Sequence, residues 1–331
     1  MVRQTSQAVP EKTPLNTASW RQVFTPGKLS IGLLTPLEAY PDSPFPMLND
    51  HLEMAKLTED AGFASIWLRD VPFYDPNFGD AAQMLDPFVY AGYLAAVTRK
   101  ITLGTAGIVT PLREPLHIAK QAASADCLTN GRFALGLSTG DRPVEYPAFG
   151  IDYNSRAERY RESVALINAL HQRKFPRADS EFFGTLEGNL DMQPKPANGR
   201  VPIVAIGRSR QTMEWLANNV DGWIWSVDSE IAIVDIIARL KEAAGDNPVP
   251  GYGYSTFFDL DANPDALYQR FYNVVRIGRN ALLERLLHHR ELGVQHIAIN
   301  LKPSQRPAQA VIDELGEFVL PELNKTPHYS V

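Results

Sequence analysis

The stretch Ile206-Gly-Arg-Ser-Arg-Gln-Thr-Met-Glu-Trp215 carries the residue types of an anion site. An apolar run, Val201 to Ile206, ends at Gly207, and the spacing places a helix start near Ser209. Gly207 lets the backbone approach a ligand closely. The first amides of a helix lack internal partners and point outward, and Arg208, Ser209, Arg210 and Thr212 add further donors. Charge-assisted hydrogen bonds contribute ~1.5–3 kcal/mol each, so three or four would hold a phosphate. The competing reading is that Ser209 only caps the helix, the commoner use of a serine there.

A second stretch, Gly136 to Gly150, runs from a strand into small residues and then a charged turn. Ser138, Thr139 and Gly140 are placed to hydrogen-bond a ligand and Arg142 to neutralise an anion; alternatively, Asp141 and Arg142 pair with each other on the surface. A third, Gly104-Thr-Ala-Gly107, interrupts a buried strand, which indicates a bulge or a close ligand approach, or simply tight barrel packing. Trp223 and Trp225 share one face of a strand by alternation, as core filling or as an aromatic wall. His288 and His289 diverge on a helix, and no His or carboxylate spacing suits a metal, so none is expected. No nucleophile elbow, P-loop or dinucleotide fingerprint occurs.

These residues need elements to position them. Apolar runs at Leu29–Leu34, Ala64–Leu68, Ile101–Val109, Arg132–Ser138, Val201–Ile206, Gly222–Ser226, Gly251–Phe258 and Gln295–Leu301 read as strands. Helical periodicity follows each: Leu48 to Gly62, Pro87–Thr98 with Asp86 as N-cap, Glu114–Leu128, Ala157–Leu170, Gln211–Asn219, Ile231–Ala244, Ile277–Leu292 and Ala308–Leu320. A segment of roughly thirty residues before Val201 reads as irregular. Eight strand–helix units without a composition break predict one α/β domain. It is a (β/α)8 TIM barrel with insertions in the strand-to-helix loops, and a doubly wound sheet is the alternative. The boundaries are an N-terminal arm, 1–28, and a barrel, 29–331. Active sites of such barrels lie at the C-terminal strand ends.

The 331 residues carry a net charge of −6, with no Lys/Arg run, which argues against a nucleic-acid or membrane-surface binder. The single cysteine, Cys127, excludes an intrachain disulfide. Neither a signal-peptide core nor a spanning apolar segment is present, and a cytoplasmic location is expected.

Taken together and in order, Thr105–Pro111, Asn130–Phe133 leading into Gly136, Tyr146–Gly150 before Arg156, and Ala205–Ser209 with Thr212, Glu214 and Trp215 resemble bacterial luciferase and its relatives. The resemblance covers roughly Leu29 to Ser226. It implies a flavin-dependent oxidoreductase barrel using reduced flavin mononucleotide (FMN) with oxygen. A deazaflavin coenzyme, as in the dehydrogenase branch, and a non-catalytic flavin-binding relative are alternatives. An unrelated barrel acting on a phosphorylated metabolite is a further reading. The resemblance also implies a cis peptide at Ala106–Gly107 under the flavin ring, phosphate contacts at Ser209 and Thr212, and Gly207, Arg208, Ser138, Thr139, Gly140, Arg142 and Tyr146 nearby. Trp67, Arg69 and Trp225 would line the substrate side. Luciferase has histidines where this chain has Arg69 and Asp70, and a glutamate where it has Arg208. Light emission is therefore not expected, and Asp70 becomes the candidate acid/base. A small-molecule substrate, a separate flavin reductase and a homodimer or homotetramer are the implied partners.

Overall fold

The computed structural model describes residues 17–325; residues 1–16 of the expected arm and 326–331 of the expected barrel lie outside them. Eight parallel strands follow one another: β1 (Ser30–Leu34), β2 (Ser65–Leu68), β3 (Thr102–Thr105), β4 (Phe133–Ser138), β5 (Ile203–Ile206), β6 (Gly222–Trp225), β7 (Gly251–Leu260) and β8 (His296–Asn300). Each pairs with the next, and β8 returns to β1 in the register Ser30 with His296, so the sheet closes. Between strands run α1 (His51–Asp60), α2 (Pro87–Ala95), α3 (Pro115–Leu128), α4 (Arg156–Gln172), α5 (Met213–Asn219), α6 (Glu230–Ala244) and α7 (Arg279–Leu292); α8 (Ala308–Phe318) follows β8. This is the expected (β/α)8 barrel.

Alternation sorts the strand residues into two cores. Outward-facing Ile66, Leu103, Leu135, Ile203, Trp223 and Ile297 pack against the helices in the larger one. Inward-facing Leu34, Trp67, Ala134, Val204, Ile224 and Ala298 fill the barrel. The inner wall is rich in glycine because large rings occupy the lumen. A Cβ at Gly104 would lie 2.3 Å from the Trp67 ring, and one at Gly251 2.4 Å from Phe24. Gly104 thus reflects barrel packing.

Phe24 shows that the arm is not separate from the barrel. Helix Ala18–Val23, capped by Thr17, delivers Trp20, Val23 and Phe24 into the same inner core at the N-terminal strand ends. Each ring removes on the order of 200 Å² from water, or about 5 kcal/mol at ~25 cal/mol per Å². The polar sequence before Lys28 hid this plug.

Three boundaries differ from expectation. The strand expected over Ile101–Val109 divides: Thr102–Thr105 pairs with β2, whereas Ile108–Val109 pairs with β4 opposite Leu137 and Ser138. At the break, Thr105 Oγ1 donates to Gly136 O at 2.8 Å and accepts from Gly136 N at 2.9 Å, so a side chain replaces the ladder bonds. The irregular segment before Val201 contains an antiparallel hairpin, Arg177–Ser180 with Gly184–Glu187. Ile277 ends a strand, Val274–Ile277, that pairs with the far end of β7; the helix starts at Arg279, after Gly278.

Candidate functional site

The mouth of the barrel, at the C-terminal strand ends, gathers most of the residues singled out above. Its floor on one side is the Ala106–Gly107 peptide, which is cis as the resemblance implies. Ala106 N donates to Leu68 O, and Ser138 Oγ donates to Gly107 O at 3.2 Å, so β2 and β4 hold this shelf from both flanks. A Cβ at Gly107 would lie 2.6 Å from Ile206, which leaves no room for a side chain there.

Asp70 is placed differently from the expectation. Its side chain is 2% exposed, and both carboxylate oxygens are taken by Arg113, at 2.9 and 2.6 Å. Val109 N also donates to Oδ2 at 3.0 Å. Arg113 reaches on to Asp86, which caps α2 through Phe88 N and Val89 N. A carboxylate so engaged is a structural tie between β2, the shelf and α2, and not the acid/base group expected of it. Arg69 pairs instead with Asp80, whose other oxygen accepts from Tyr40 Oη at 2.9 Å. Arg69 N donates to Gln83 Oε1, which also accepts from Thr35 Oγ1.

Arg142 and Tyr146 are likewise committed. Arg142, 6% exposed, donates to Phe73 O and Asp80 O, both at 3.2 Å, and stacks over Phe78. It ties residues 69–86 down over the barrel instead of presenting a free charge to an anion, and it does not pair with Asp141. Tyr146 Oη donates to Thr139 O and its ring is buried against Tyr153. Gly140, at φ +71°, turns the chain closely past Val109.

Beside Arg142, at 3.9 Å, lies Glu145, a residue the sequence reading did not select. Its Oε1 is buried without a hydrogen-bond partner. Burial pushes its carboxyl up to about 7; Arg142 opposes this, while Asp70, Asp141 and Asp75 add to it. A carboxyl raised on folding favours the folded state most below its unfolded value near 4.5, and that contribution is lost as pH rises to about 7. Glu145→Gln should therefore flatten the decline in melting temperature between pH 5 and 7.5, a span on the order of 2 kcal/mol in the parent. Thermal melts across that range check it; parallel curves for both proteins would refute the shift. The one signal available was the Arg142-x-x-Glu145 spacing.

Next to the shelf, the loop after β5 takes left-handed backbone at Gly207, Ser209 and Arg210 (φ +65°, +47° and +57°). It delays the helix: α5 begins at Met213 with Thr212, not Ser209, as N-cap, its Oγ1 accepting from Trp215 N. Ser209 is buried, and its hydroxyl donates to Ile206 O at 3.2 Å. Gln211 locks the loop through Ala157 O and Arg161 Nε, and Trp223 Nε1 donates to Gly207 O at 2.7 Å. Arg208, Arg210 and Thr212 stay exposed. Among the described residues, neither arginine has an ion-pair partner, and the Thr212 hydroxyl proton is free to donate.

Two tryptophans leave the expected site. Trp67 is fully buried in the lumen, its indole donating to His296 Nε2 at 2.9 Å. Since a tryptophan only donates, Nε2 accepts and Nδ1 carries the proton, facing Ser30 Oγ at 2.7 Å. Burial lowers His296 to about 3, so it stays neutral. Trp225 stacks on Trp223, at 5.4 Å and 15°, on the outer face of β6 against the helices. Neither ring faces the mouth. No group of three His, Cys, Asp or Glu able to hold a metal occurs among the described residues, and no helix there is long and apolar enough to cross a membrane.

A closed (β/α)8 barrel with polar side chains collected at the C-terminal mouth is an enzyme architecture. The luciferase-like monooxygenase family model matches residues 22–320, and the chain belongs to that family. A stretch of 198 residues, 59% of this chain, is 24% identical to 53% of the alkanal monooxygenase alpha chain of Photorhabdus luminescens. The chain thus spans about half the length of that relative. Among solved structures, an F420-dependent secondary alcohol dehydrogenase in complex with an F420-acetone adduct superposes with a TM-score of 0.72. It is 18% identical and covers 90% of this chain and all of that one. The oxygenating constituent of 3,6-diketocamphane monooxygenase from Pseudomonas putida, in complex with FMN, gives 0.67 at 14% identity, covering 89% of this chain and 98% of that one.

Proposed function

We propose that this chain is a flavin-dependent monooxygenase that binds reduced FMN at the barrel mouth and oxidises a small organic substrate with molecular oxygen. The observation that carries the reading is the rim loop after β5, where two exposed arginines, without carboxylate partners among the described residues, stand beside a free hydroxyl donor. Charged donors that the protein leaves unpaired suit a phosphate monoester. The residues fit the group: Arg208, Arg210 and Thr212 would hold the phosphate, while Ser209 shapes the loop from beneath. The Ala106–Gly107 peptide, whose only side chain is a methyl, would support the ring.

Bound flavin supplies the redox chemistry. The chain's own groups position it and exclude water. Ser138 steadies the shelf, Arg142 holds residues 69–86 over the mouth, and Glu145 is the buried carboxyl able to exchange a proton near neutral pH. A separate reductase would deliver the reduced cofactor, and a homo-oligomer is the expected assembly.

Titrating purified protein with FMN and with the deazaflavin coenzyme, followed by oxygen uptake with reduced FMN, tests this. Saturable FMN binding and oxygen consumption are expected. Tight binding of the deazaflavin alone would overturn it in favour of a hydride-transferring dehydrogenase, and FMN binding without oxygen uptake across a broad substrate panel would leave a flavin-binding protein.

A further inference from the structure

The opposite lip of the mouth, between β8, β1 and β2, carries two cations that the site described so far does not use. In β8, His296 and Ala298 face the lumen and Asn300 continues that phase at the strand end; Lys302 follows in the turn beyond it, its N donating to Asn300 Oδ1 at 2.9 Å. In β2, Trp67 faces the lumen, and Arg69 takes the inward phase one step above. The chain between them folds back so that Tyr40 N donates to Lys302 O at 3.0 Å.

Only Arg69 has a counter-ion, Asp80. Lys302 is half-buried, its ammonium donating to Ser43 O at 2.5 Å and lying 4.3 Å over the Tyr40 ring, with no ion-pair partner among the described residues. Of the nearby carboxylates, Asp80 is held by Arg69 and Tyr40, and Glu38 is taken up by the amides of Met47 and Leu48. Burial and Arg69 depress the lysine's proton affinity and Asp80 opposes them, the mark of a cation short of counter-charge. A half-buried charge without a partner costs free energy unless an anion completes it. Arg69 meets Asp80 through one terminal nitrogen, and among the described residues its guanidinium makes no other bond. Its remaining edge suits a planar oxyanion.

The loop that supplies Ser43 O also carries Phe45, 43% exposed, whose ring lies 4.7 Å from the exposed Tyr74. Large aromatic rings exposed together at a mouth mark a surface that something apolar covers.

We propose that Arg69 and Lys302 form a subsite for the carboxylate of an amphipathic organic acid, with its apolar body along Phe45 and Tyr74, so that the substrate class is an acid; this rests on the proposed function. Decanoate and decanol are the probes, titrated calorimetrically into the full chain with and without FMN. Decanoate should bind at least tenfold more tightly than decanol. Lys302→Met should abolish the preference with FMN affinity and melting temperature unchanged, and Lys302→Arg should restore most of it. Equal binding of the two probes, a preference that survives Lys302→Met, or loss of FMN affinity in that variant would each overturn the subsite. Lysine-dependent decanoate binding by a protein that binds no FMN would support the subsite while refuting the proposed function.

Discussion

Asp70→Asn is expected to lower stability by about 3 kcal/mol while leaving any turnover per folded molecule nearly intact. The substitution keeps the shape and removes the charge. It leaves Arg113 paired only with Asp86, whose side chain is 38% exposed against 2% for Asp70. Removing one partner of a buried ion pair costs about 3–5 kcal/mol. The lower end applies here because the Arg113 side chain is itself 25% exposed and keeps one counter-ion. Val109 N, 3.0 Å from Oδ2, would retain an acceptor only if the amide oxygen faced it. In a chain of this size, melting should fall by roughly 5 °C. Arg113→Met should cost a similar amount, and the double variant much less than the sum, since both remove the same interaction. A large fall in turnover without a change in melting would instead restore Asp70 as an acid/base residue.

The Asp70 reassignment shows which part of the site was legible. Strand and helix positions were readable because each is a local property of the apolar pattern, and eight units in a row specify a barrel that closure then satisfies. Pairing is not local. Asp70 and Arg113 belong to different strand–helix units, and next to Asp70 in the chain stood a more obvious cation, Arg69, which turned out to meet Asp80. Periodicity likewise put Trp223 and Trp225 on one face without saying which. Phase was decided by Trp20 and Phe24, which fill the lumen and require Gly222 and Gly251 on the inside. The plug itself lay in a short, polar stretch with no periodicity to read. At the rim, Ser209 was the expected cap and Thr212 only a further donor. The three left-handed residues at 207, 209 and 210 decide for Thr212, and backbone handedness at a serine and an arginine leaves no trace in composition.

That loop carries the second large effect. Arg208→Ala combined with Arg210→Ala should weaken FMN binding by about a hundredfold, with each single change nearer tenfold. A charge-assisted bond contributes ~1.5–3 kcal/mol when well placed, and an exposed rim discounts each to about 1.4 kcal/mol, or tenfold. Thr212→Ala should cost less in affinity but also about 1 kcal/mol of stability, because it removes the cap of α5. Riboflavin, which has the ring without the phosphate, separates this account from a general disturbance of the mouth. The double variant should bind riboflavin as the parent does, so that the phosphate's contribution alone disappears. Rising salt should erode FMN affinity in the parent and hardly affect the variant, since screening acts on exposed charges. Equal losses for FMN and riboflavin would mean that the arginines shape the pocket without gripping an anion, and the phosphate site would have to be sought elsewhere on the mouth.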